Sequence, residues 1–212
     1  MKSLQNAIEE LARADAELAA LIDRVGPPRL GVRDESDIFA ALVRSVVFQQ
    51  LNGRAAETIF SRLLALFGDG GFPTPHALAE RPFEDLRSAG LSRSKAASVQ
   101  DIARRTISGE LPTRAEAQQL DDESVVARLV AARGVGRWTA EMVLIFCLGR
   151  LDVMPVGDFG VRKGFGRVFG DGAPAEPEAI LARAERWRPY RSVASWYLWR
   201  ATELDFSNPG SP

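Results

Sequence analysis

The spacing of apolar residues is the feature that most constrains the fold of this chain. Apolar side chains recur at steps of three and four residues through most of the 212 residues, and no segment alternates apolar and polar residues over the length of a strand. Steps of three and four match an α-helix with one buried face, whereas a half-buried strand needs a period of two. The sequence therefore predicts an all-α fold.

Residues that start or stop helices divide this pattern into about ten helices. The first is predicted to run from Leu4 to Arg24, and Ser36-Asp37 is predicted to cap a second that continues through IFAALVRSVVFQQ. Ser92 and Asp121 are predicted to start two later helices, because short polar side chains at these positions can accept a hydrogen bond from a free backbone N–H group.

The composition excludes several classes of site. With one cysteine and one histidine, the chain cannot form an intramolecular disulfide or a four-cysteine iron–sulfur centre. His76 is predicted to be a turn or cap residue, and Cys147 a core residue. No run approaches the roughly eighteen apolar residues of a membrane span, and the acidic first stretch is unlike a signal peptide. A cytoplasmic protein without membrane contact is predicted.

The charge of the whole chain does not indicate a nucleic-acid binder. Its net charge is −1, whereas proteins that bind DNA usually carry a basic surplus that displaces counterions from phosphates. The segment from Arg133 to Arg167 differs, with six basic residues against three acidic ones. A small basic face on a neutral protein is consistent with both observations.

Two glycines one residue apart separate two predicted helices in the stretch RGVGRWTAEM. The link is too short for a loose loop, and glycine supplies the positive φ that such a hairpin needs. In a helix-hairpin-helix, the N–H groups of Gly134, Val135 and Gly136 can face a DNA phosphate, and Arg137 adds positive charge. An ordinary tight turn between packed helices is the alternative, and the glycine spacing alone does not decide between them.

Six stretches in a fixed order resemble the helix-hairpin-helix/GPD superfamily of DNA glycosylases, most closely its 3-methyladenine DNA glycosylase II branch. They are RSVVFQQLNGRAA, FPTPHALA, GLSRSKAASVQDIA, LVAARGVGRWTAEMVL, VMPVGDFGVRKGF and ERWRPYRSVASWYLW. The resemblance extends from about Ser36 to Glu203 and is most specific where the hairpin is followed by PVGD. Longer bacterial relatives carry an additional mixed α/β domain at the N-terminus, and this chain resembles a compact form without it.

The resemblance implies two helical lobes around a cleft, with the hairpin at its mouth. One lobe is expected to comprise residues 34–148 and to end in the helix-hairpin-helix at about 121–148. The other is expected to combine residues 1–33 with 149–205, and residues 206–212 are expected to form a frayed tail. We expect a monomer, because a single lesion has no two-fold symmetry.

The resemblance also places the catalytic carboxylate at Asp158. Cleavage of the bond between deoxyribose and base builds positive charge on the sugar, which a fixed carboxylate stabilises. An alkylated purine is already a cation and leaves as a neutral base without a protonating acid, so a second carboxylate is unnecessary. The alternative is that Asp158 only caps a helix.

The residue at position 138 bears on the type of reaction. In relatives that also cut the DNA backbone, a lysine occupies this position and forms a Schiff base with the sugar. Trp138 therefore predicts a monofunctional enzyme that uses water, and its indole can stack on a cationic base. Trp199 is predicted as a second pocket wall, with core packing as the alternative. Met142, predicted to line the same pocket, replaces a tyrosine of some relatives.

Further DNA contacts follow from the resemblance. A side chain at the turn after the second helix is expected to fill the gap that a flipped base leaves, with Gln50 favoured and Leu51 as the alternative. Phosphates are expected to meet the start of a later helix. The residues assigned to these two contacts are Gln49, Gln50, Leu51, Ser92, Arg93 and Lys95.

No cofactor is expected to be required. In family structures the carbonyls of the hairpin hold a monovalent cation that bridges to a phosphate. The resemblance maps these carbonyls to Val130, Ala132 and Gly134, which are expected to bind Na⁺ or K⁺.

The sequence as a whole predicts a monofunctional DNA glycosylase of base excision repair. It is expected to flip alkylated purines such as 3-methyladenine and 7-methylguanine out of double-stranded DNA and to leave an abasic site. One alternative is a non-enzymatic helix-hairpin-helix module that only binds DNA or a repair partner, with Trp138 buried. The other is a bifunctional glycosylase/lyase, which requires an amine at the position of Trp138.

Overall fold

The computed structural model describes residues 2–31, 37–68 and 71–204, and within these ranges it contains thirteen α-helices and no β-strand. The predicted cap Ser36, the predicted lobe boundary at residue 34 and the predicted tail 206–212 lie outside the described residues. The helices are α1 (Lys2–Ala14), α2 (Ala16–Val25), α3 (Ile38–Phe48), α4 (Gly53–Ala65), α5 (Pro75–Glu80), α6 (Phe83–Ser88), α7 (Arg93–Ile107), α8 (Arg114–Gln119), α9 (Asp122–Val130), α10 (Arg137–Phe146), α11 (Phe159–Phe169), α12 (Pro177–Ala184) and α13 (Arg191–Ala201), with a 3-10 turn at Glu185–Trp187. The all-α prediction is confirmed.

The chain divides into two compact units. The terminal unit comprises Met1–Gly31 and Gly149–Pro212, and the central unit comprises Val32–Leu148. None of the described helices is long and apolar enough to cross a bilayer.

The terminal unit is built around an apolar core shared by α1, α2, α11, α12 and α13. Trp187 and Tyr197 are the largest of its fully buried side chains. The Tyr197 hydroxyl donates a hydrogen bond to the Gly26 carbonyl at 3.1 Å, and burial raises its pKa to about 12. The core thereby fixes α13, which carries Trp199, beside α11.

The prediction of a single first helix from Leu4 to Arg24 is wrong. The chain breaks at Asp15, whose carboxylate accepts the Leu18 N–H at 3.3 Å and caps α2. The same carboxylate is buried and receives hydrogen bonds from both Arg183 and the Trp187 indole. A buried carboxylate needs such partners, and these lie far along the chain, where local periodicity gives no information about them.

The central unit packs its helices around α3 and α7. Helix α7 contacts α3, α5 and α6, while α3 also contacts α4 and α10. Two helices, α6 and α8, were not predicted, because each has only six residues and is too short to show a helical period. The second predicted helix ends at Phe48, two residues earlier than expected, and Gln49 and Gln50 form a turn.

Candidate functional site

The predicted hairpin joins α9 and α10. Gly134 has a φ of 77°, and a Cβ atom there would lie 2.6 Å from Ser98 Oγ, so both the turn and the close approach of α7 require glycine. Gly136 has a φ of −94°, and a Cβ atom there would meet nothing within 4 Å. The expectation that the hairpin needs positive φ therefore holds for Gly134 and not for Gly136.

The start of α10 has no side-chain cap. Its N-cap is Gly136, whereas α3, α4, α5, α7, α8 and α9 of the same unit each begin with a side chain that accepts a backbone N–H. The first N–H groups of a helix carry partial positive charge and bind anions when no cap covers them. The Val135 N–H is not one of these donors, because it bonds to the Ala132 carbonyl at 3.1 Å.

Arg137, predicted to add charge for DNA, is engaged within the protein. Its guanidinium pairs with Glu123 and, through Nε at 3.1 Å, with Glu141. Two further arginines of the basic segment also bond inside the protein: Arg162 donates to the Ala175 carbonyl, and Arg167 donates to carbonyls near the end of α13. The basic segment therefore offers less positive charge to a ligand than its sequence indicates.

Of the three carbonyls implied as ligands of a monovalent cation, two already accept a hydrogen bond within the protein. The Ala132 carbonyl accepts the Val135 N–H, and the Gly134 carbonyl accepts the Gln49 side-chain amide at 3.0 Å. A carbonyl oxygen has two lone pairs, so each of these can still bind an ion. Uncharged oxygen donors suit Na⁺ or K⁺, and the residues present fit this group.

A cavity of about 640 Å³ lies in the central unit between α3 and α10. Its walls include Arg44 and Phe48 from α3 and Trp138, Met142 and Cys147 from the region of α10. The Trp138 side chain is 45% exposed, which contradicts the alternative in which it is buried in the core. Cys147 is buried as predicted, and burial raises the pKa of its thiol. The volume lies in the usual range of small-ligand pockets.

Arg44 is a cavity residue that the sequence did not indicate. Its guanidinium stacks over the rings of Phe48 and Phe60, at 4.2 and 4.9 Å from their centroids, and pairs with Glu57 at 2.7 Å. These contacts hold the guanidinium in the wall of the cavity with its charge paired to Glu57. A single arginine inside a helix belongs to no motif, so nothing in the local sequence could have found it.

The predicted wedge residues lie on an exposed turn. The Leu51 N–H closes the turn on the Phe48 carbonyl at 3.4 Å, and both Gln50 and Leu51 are exposed. Gln50 has a φ of 56°, and it is the one non-glycine residue with positive φ in the described part of the chain. Gln49 instead points to the hairpin, where its amide bonds to Gly134.

The predicted phosphate contacts at the start of α7 separate into two groups. Ser92 and Arg93 are exposed, and Ser92 caps α7 through the Lys95 N–H at 3.2 Å. The Lys95 ammonium donates instead to two carbonyls at the end of α3, those of Val47 at 2.7 Å and Gln49 at 2.6 Å. Desolvation lowers its pKa. The structure thus gives the Lys95 ammonium two acceptors inside the protein, and its phosphate contact stays a prediction.

Asp158 lies in the terminal unit at the N-terminus of α11. Its Oδ1 atom accepts hydrogen bonds from the Val161 N–H and from the Trp199 indole, both at 2.8 Å. The side chain is only partly buried. The first bond is that of a helix cap, and the second orients the carboxylate from a separate helix, so capping and orientation coexist at this residue.

Trp199 is placed as a partner of Asp158 and is not among the residues that line the cavity beside Trp138. Gly160 makes this contact possible, because a Cβ atom there would lie 2.8 Å from Trp199 Cδ1 and 3.1 Å from Asp158 Oδ1. The sequence analysis missed Gly160. A glycine in the first turn of a helix, where it lowers helix stability, was the available indication.

Phe159, directly after Asp158, is also a residue that the sequence analysis missed. Its side chain is 65% exposed, more than any other large apolar side chain in the described ranges. Apolar side chains that are exposed singly are common on protein surfaces, so this exposure alone assigns Phe159 no role. Sequence alone could not reveal the exposure, because a phenylalanine in a helix is most simply a core residue.

The chain belongs to the superfamily of HhH-GPD base excision DNA repair proteins, whose family model matches residues 43–189. It is 37% identical over 212 residues to DNA-3-methyladenine glycosylase 1 of Schizosaccharomyces pombe, covering 99% of this chain and 93% of that protein. Among solved structures it is similar to the 3-methyladenine DNA glycosylase Mag1 of Schizosaccharomyces pombe in complex with abasic DNA (TM-score 0.83, 36% identity, 94% and 97% of the two chains). It is also similar to a DNA-3-methyladenine glycosidase of Bacillus halodurans (TM-score 0.85, 34% identity, 92% and 88%).

Proposed function

We propose that this protein is a monofunctional DNA glycosylase that hydrolyses the N-glycosidic bond of alkylated purines in double-stranded DNA and leaves an abasic site. The observation that carries the proposal is the carboxylate of Asp158, whose Oδ1 atom accepts hydrogen bonds from both the Trp199 indole and the α11 backbone. The matched relatives, named as 3-methyladenine DNA glycosylases, support the choice of alkylated purines.

The role of Asp158 follows from the charge that the reaction creates. As the bond to the base lengthens, positive charge develops on the deoxyribose, and a carboxylate held in a fixed orientation stabilises it without reorganising. Because an alkylated purine leaves as a neutral base, no proton donor is needed. The same carboxylate can orient the attacking water.

The base is proposed to bind in the cavity beside Trp138. The exposed face of an indole attracts a cationic base, by on the order of 2 kcal/mol when the site is desolvated. None of the described residues that line the cavity is a lysine, and the Trp138 side chain has no primary amine. A Schiff-base mechanism therefore lacks its nucleophile here, which favours water and a monofunctional reaction.

The DNA strand is proposed to bind through the open N-terminus of α10 and the exposed residues Ser92 and Arg93. Gly136 supports this assignment, because neither its φ nor any neighbour within the protein requires a glycine. A missing side chain there leaves room for a phosphate to approach the backbone. When bound, a monovalent cation at the Val130, Ala132 and Gly134 carbonyls would add positive charge for the same phosphate.

We further propose that Gln50 or Leu51 replaces the flipped base in the stack, and that the protein acts as a monomer on DNA in the cytoplasm. The exposure of both side chains on one short turn supports the first point. A lesion on one strand has no two-fold symmetry, which favours a single protomer. The non-enzymatic alternative does not account for the cavity or for the exposure of Trp138.

Replacing Asp158 with Asn tests the proposed reaction. Asparagine is also a good N-cap, so α11 should remain intact while the negative charge is lost. We expect release of 3-methyladenine from methylated DNA to fall about a hundredfold to a thousandfold, the scale of losing one electrostatic contact to a transition state.

The matched control is Asp121→Asn. Asp121 caps α9 by accepting the N–H three residues later, at 2.8 Å, in the geometry that Asp158 uses for Val161. Its variant should keep base release within about twofold, as expected for a cap alone. Equal activity of the two variants would refute the role of Asp158.

A further inference from the structure

Three residues on one side of α7 contact the predicted DNA-contacting surface, one at the turn after α3 and two at the hairpin. Lys95 bonds to carbonyls at the end of α3, Ser98 packs against Gly134, and the Asp101 carboxylate accepts the Arg133 N–H at 2.8 Å. Positions three residues apart lie on neighbouring turns of one helix face. Helix α7 is therefore the common support of the turn after α3 and of the hairpin.

The turn after α3 has a conformation that its own sequence does not favour. Gln49 has φ −53° and ψ 134°, and Gln50 follows at φ 56°. These angles match a type II turn, whose third residue is usually Gly or Asn because the left-handed region crowds other side chains. A glutamine remains there only when its surroundings hold the backbone in place.

Two contacts supply this restraint. The Lys95 ammonium donates to the carbonyls of Val47 and Gln49, which belong to the last turn of α3 and to the turn itself. The Gln49 side chain donates in turn to the Gly134 carbonyl of the hairpin. A cation at the negative end of a helix is favourable, and its partial burial makes these bonds stronger than exposed ones.

We propose that Lys95 is a positioning residue, which preforms the turn of Gln50 and Leu51 for insertion into the duplex and does not itself contact DNA. This inference rests on the proposed function. Because a preformed turn is already ordered before it enters the base stack, no binding free energy is needed to order it. That free energy can instead offset the cost of opening the base pair. Without the ammonium, Gln50 relaxes toward ordinary φ values and the insertion fails.

The test compares Lys95→Met with Arg93→Met, which removes an exposed positive charge from the same helix end. The substrates are a duplex with one 7-methylguanine paired to cytosine and the same strand with that base unpaired in a bulge. We expect Lys95→Met to lower single-turnover release from the paired base by about tenfold or more, and from the unpaired base by less than about twofold, because an unpaired base costs little to flip.

Salt dependence separates positioning from direct phosphate binding. Loss of one phosphate contact lowers the slope of log affinity against log salt by about one. We expect this decrease for Arg93→Met and an unchanged slope for Lys95→Met. A lower slope for Lys95→Met, or equal slowing on both substrates, would overturn the proposal.

The fluorescence of 2-aminopurine placed next to the lesion in the same strand and paired with thymine, with the lesion still paired to cytosine, reports insertion without any catalysis. Bound wild-type protein should raise the fluorescence, and Arg93→Met at saturating concentration should raise it equally. Lys95→Met should raise the fluorescence by less than about half as much, because its turn no longer fills the gap. If the wild type inserts but releases no base, the proposed function fails and the positioning role stands. If the wild type releases base and Lys95→Met raises the 2-aminopurine fluorescence as much as the wild type does, the positioning role fails and the proposed function stands.

A second variant keeps the proposal testable if Lys95→Met folds poorly. If Lys95→Met has a lower unfolding temperature, Gln49→Met removes the other restraint from a partly exposed site. It should show the same selective loss on the paired substrate. Wild-type behaviour of a folded Gln49→Met on both substrates, together with nonselective loss in Lys95→Met, would also overturn the proposal.

Discussion

Two aspartates of the terminal unit have the same two kinds of hydrogen-bond donor and differ in their surroundings. Asp15 caps α2 and Asp158 caps α11, and each accepts an indole N–H, from Trp187 at 3.1 Å and from Trp199 at 2.8 Å. Asp15 is 3% exposed, and its two carboxylate oxygens accept hydrogen bonds from Nε and Nη2 of Arg183, whereas Asp158 is partly exposed. The arrangement of cap and indole is buried in the fold at Asp15. At Asp158 it reaches the surface, where a substrate can approach the carboxylate.

The largest effect expected from this comparison is on stability. Asp15→Asn removes the buried negative charge that accepts two bonds from Arg183, which keeps Glu17 as its remaining ionic partner. Hydrogen bonds to charged groups contribute about 1.5–3 kcal/mol each, so we expect a loss of about 3 kcal/mol. Chemical denaturation should show this loss in the free energy of unfolding, while base release per folded molecule stays at the wild-type rate. A stable but inactive Asp15→Asn would mean that the two aspartates do not have separate roles.

The two indoles provide the next test. Trp199→Phe removes a hydrogen bond to the Asp158 carboxylate, which is on the order of 2 kcal/mol for a charged acceptor. We expect kcat to fall about thirtyfold with KM little changed, since the carboxylate is misoriented and the cavity is untouched. Trp187→Phe should lower the unfolding temperature and leave kcat unaltered. A reversal of these outcomes would place the catalytic carboxylate elsewhere.

The smallest effect is the pH dependence of stability. Burial alone would raise the pKa of Asp15, but hydrogen bonds from Arg183, Trp187 and the Leu18 N–H together lower it below its ordinary value of 3.8. The unfolded chain therefore binds a proton more readily than the folded one. The stabilisation present above about pH 4 is lost as the pH falls toward the folded-state pKa.

Measured unfolding free energies between pH 6 and pH 3 should decline more steeply for the wild type than for Asp15→Asn, because the variant has no carboxylate to protonate. Parallel curves for wild type and Asp15→Asn would show that other groups dominate acid unfolding.

Predictions that depend on local sequence agree with the structure. Ser92, Asp121 and Asp158 cap helices where short polar side chains precede apolar periodic segments. Gly134 has the positive φ expected of a hairpin glycine. In these cases the residue and its hydrogen-bond partner are only a few positions apart, so the local sequence is enough to predict the contact.

Predictions that depend on distant partners were incomplete or wrong. Lys95 was expected at a phosphate, but its acceptors lie 46 and 48 residues earlier in the chain. Asp15 was read as part of a continuous helix, although its Arg183 partner is 168 residues away. A charged side chain looks the same in sequence whether it faces solvent or a buried counterpart, and only the tertiary packing distinguishes the two.

The glycine at position 160 has a consequence for efforts to make this protein more heat-resistant. Glycine within a helix is less favourable than alanine by about 1 kcal/mol, so a search for stabilising substitutions would select Gly160→Ala among its first choices. Yet the added methyl group would occupy space that Trp199 and Asp158 now use. At this residue the chain carries a permanent stability deficit, and removing it would sacrifice the arrangement on which the proposed catalysis depends.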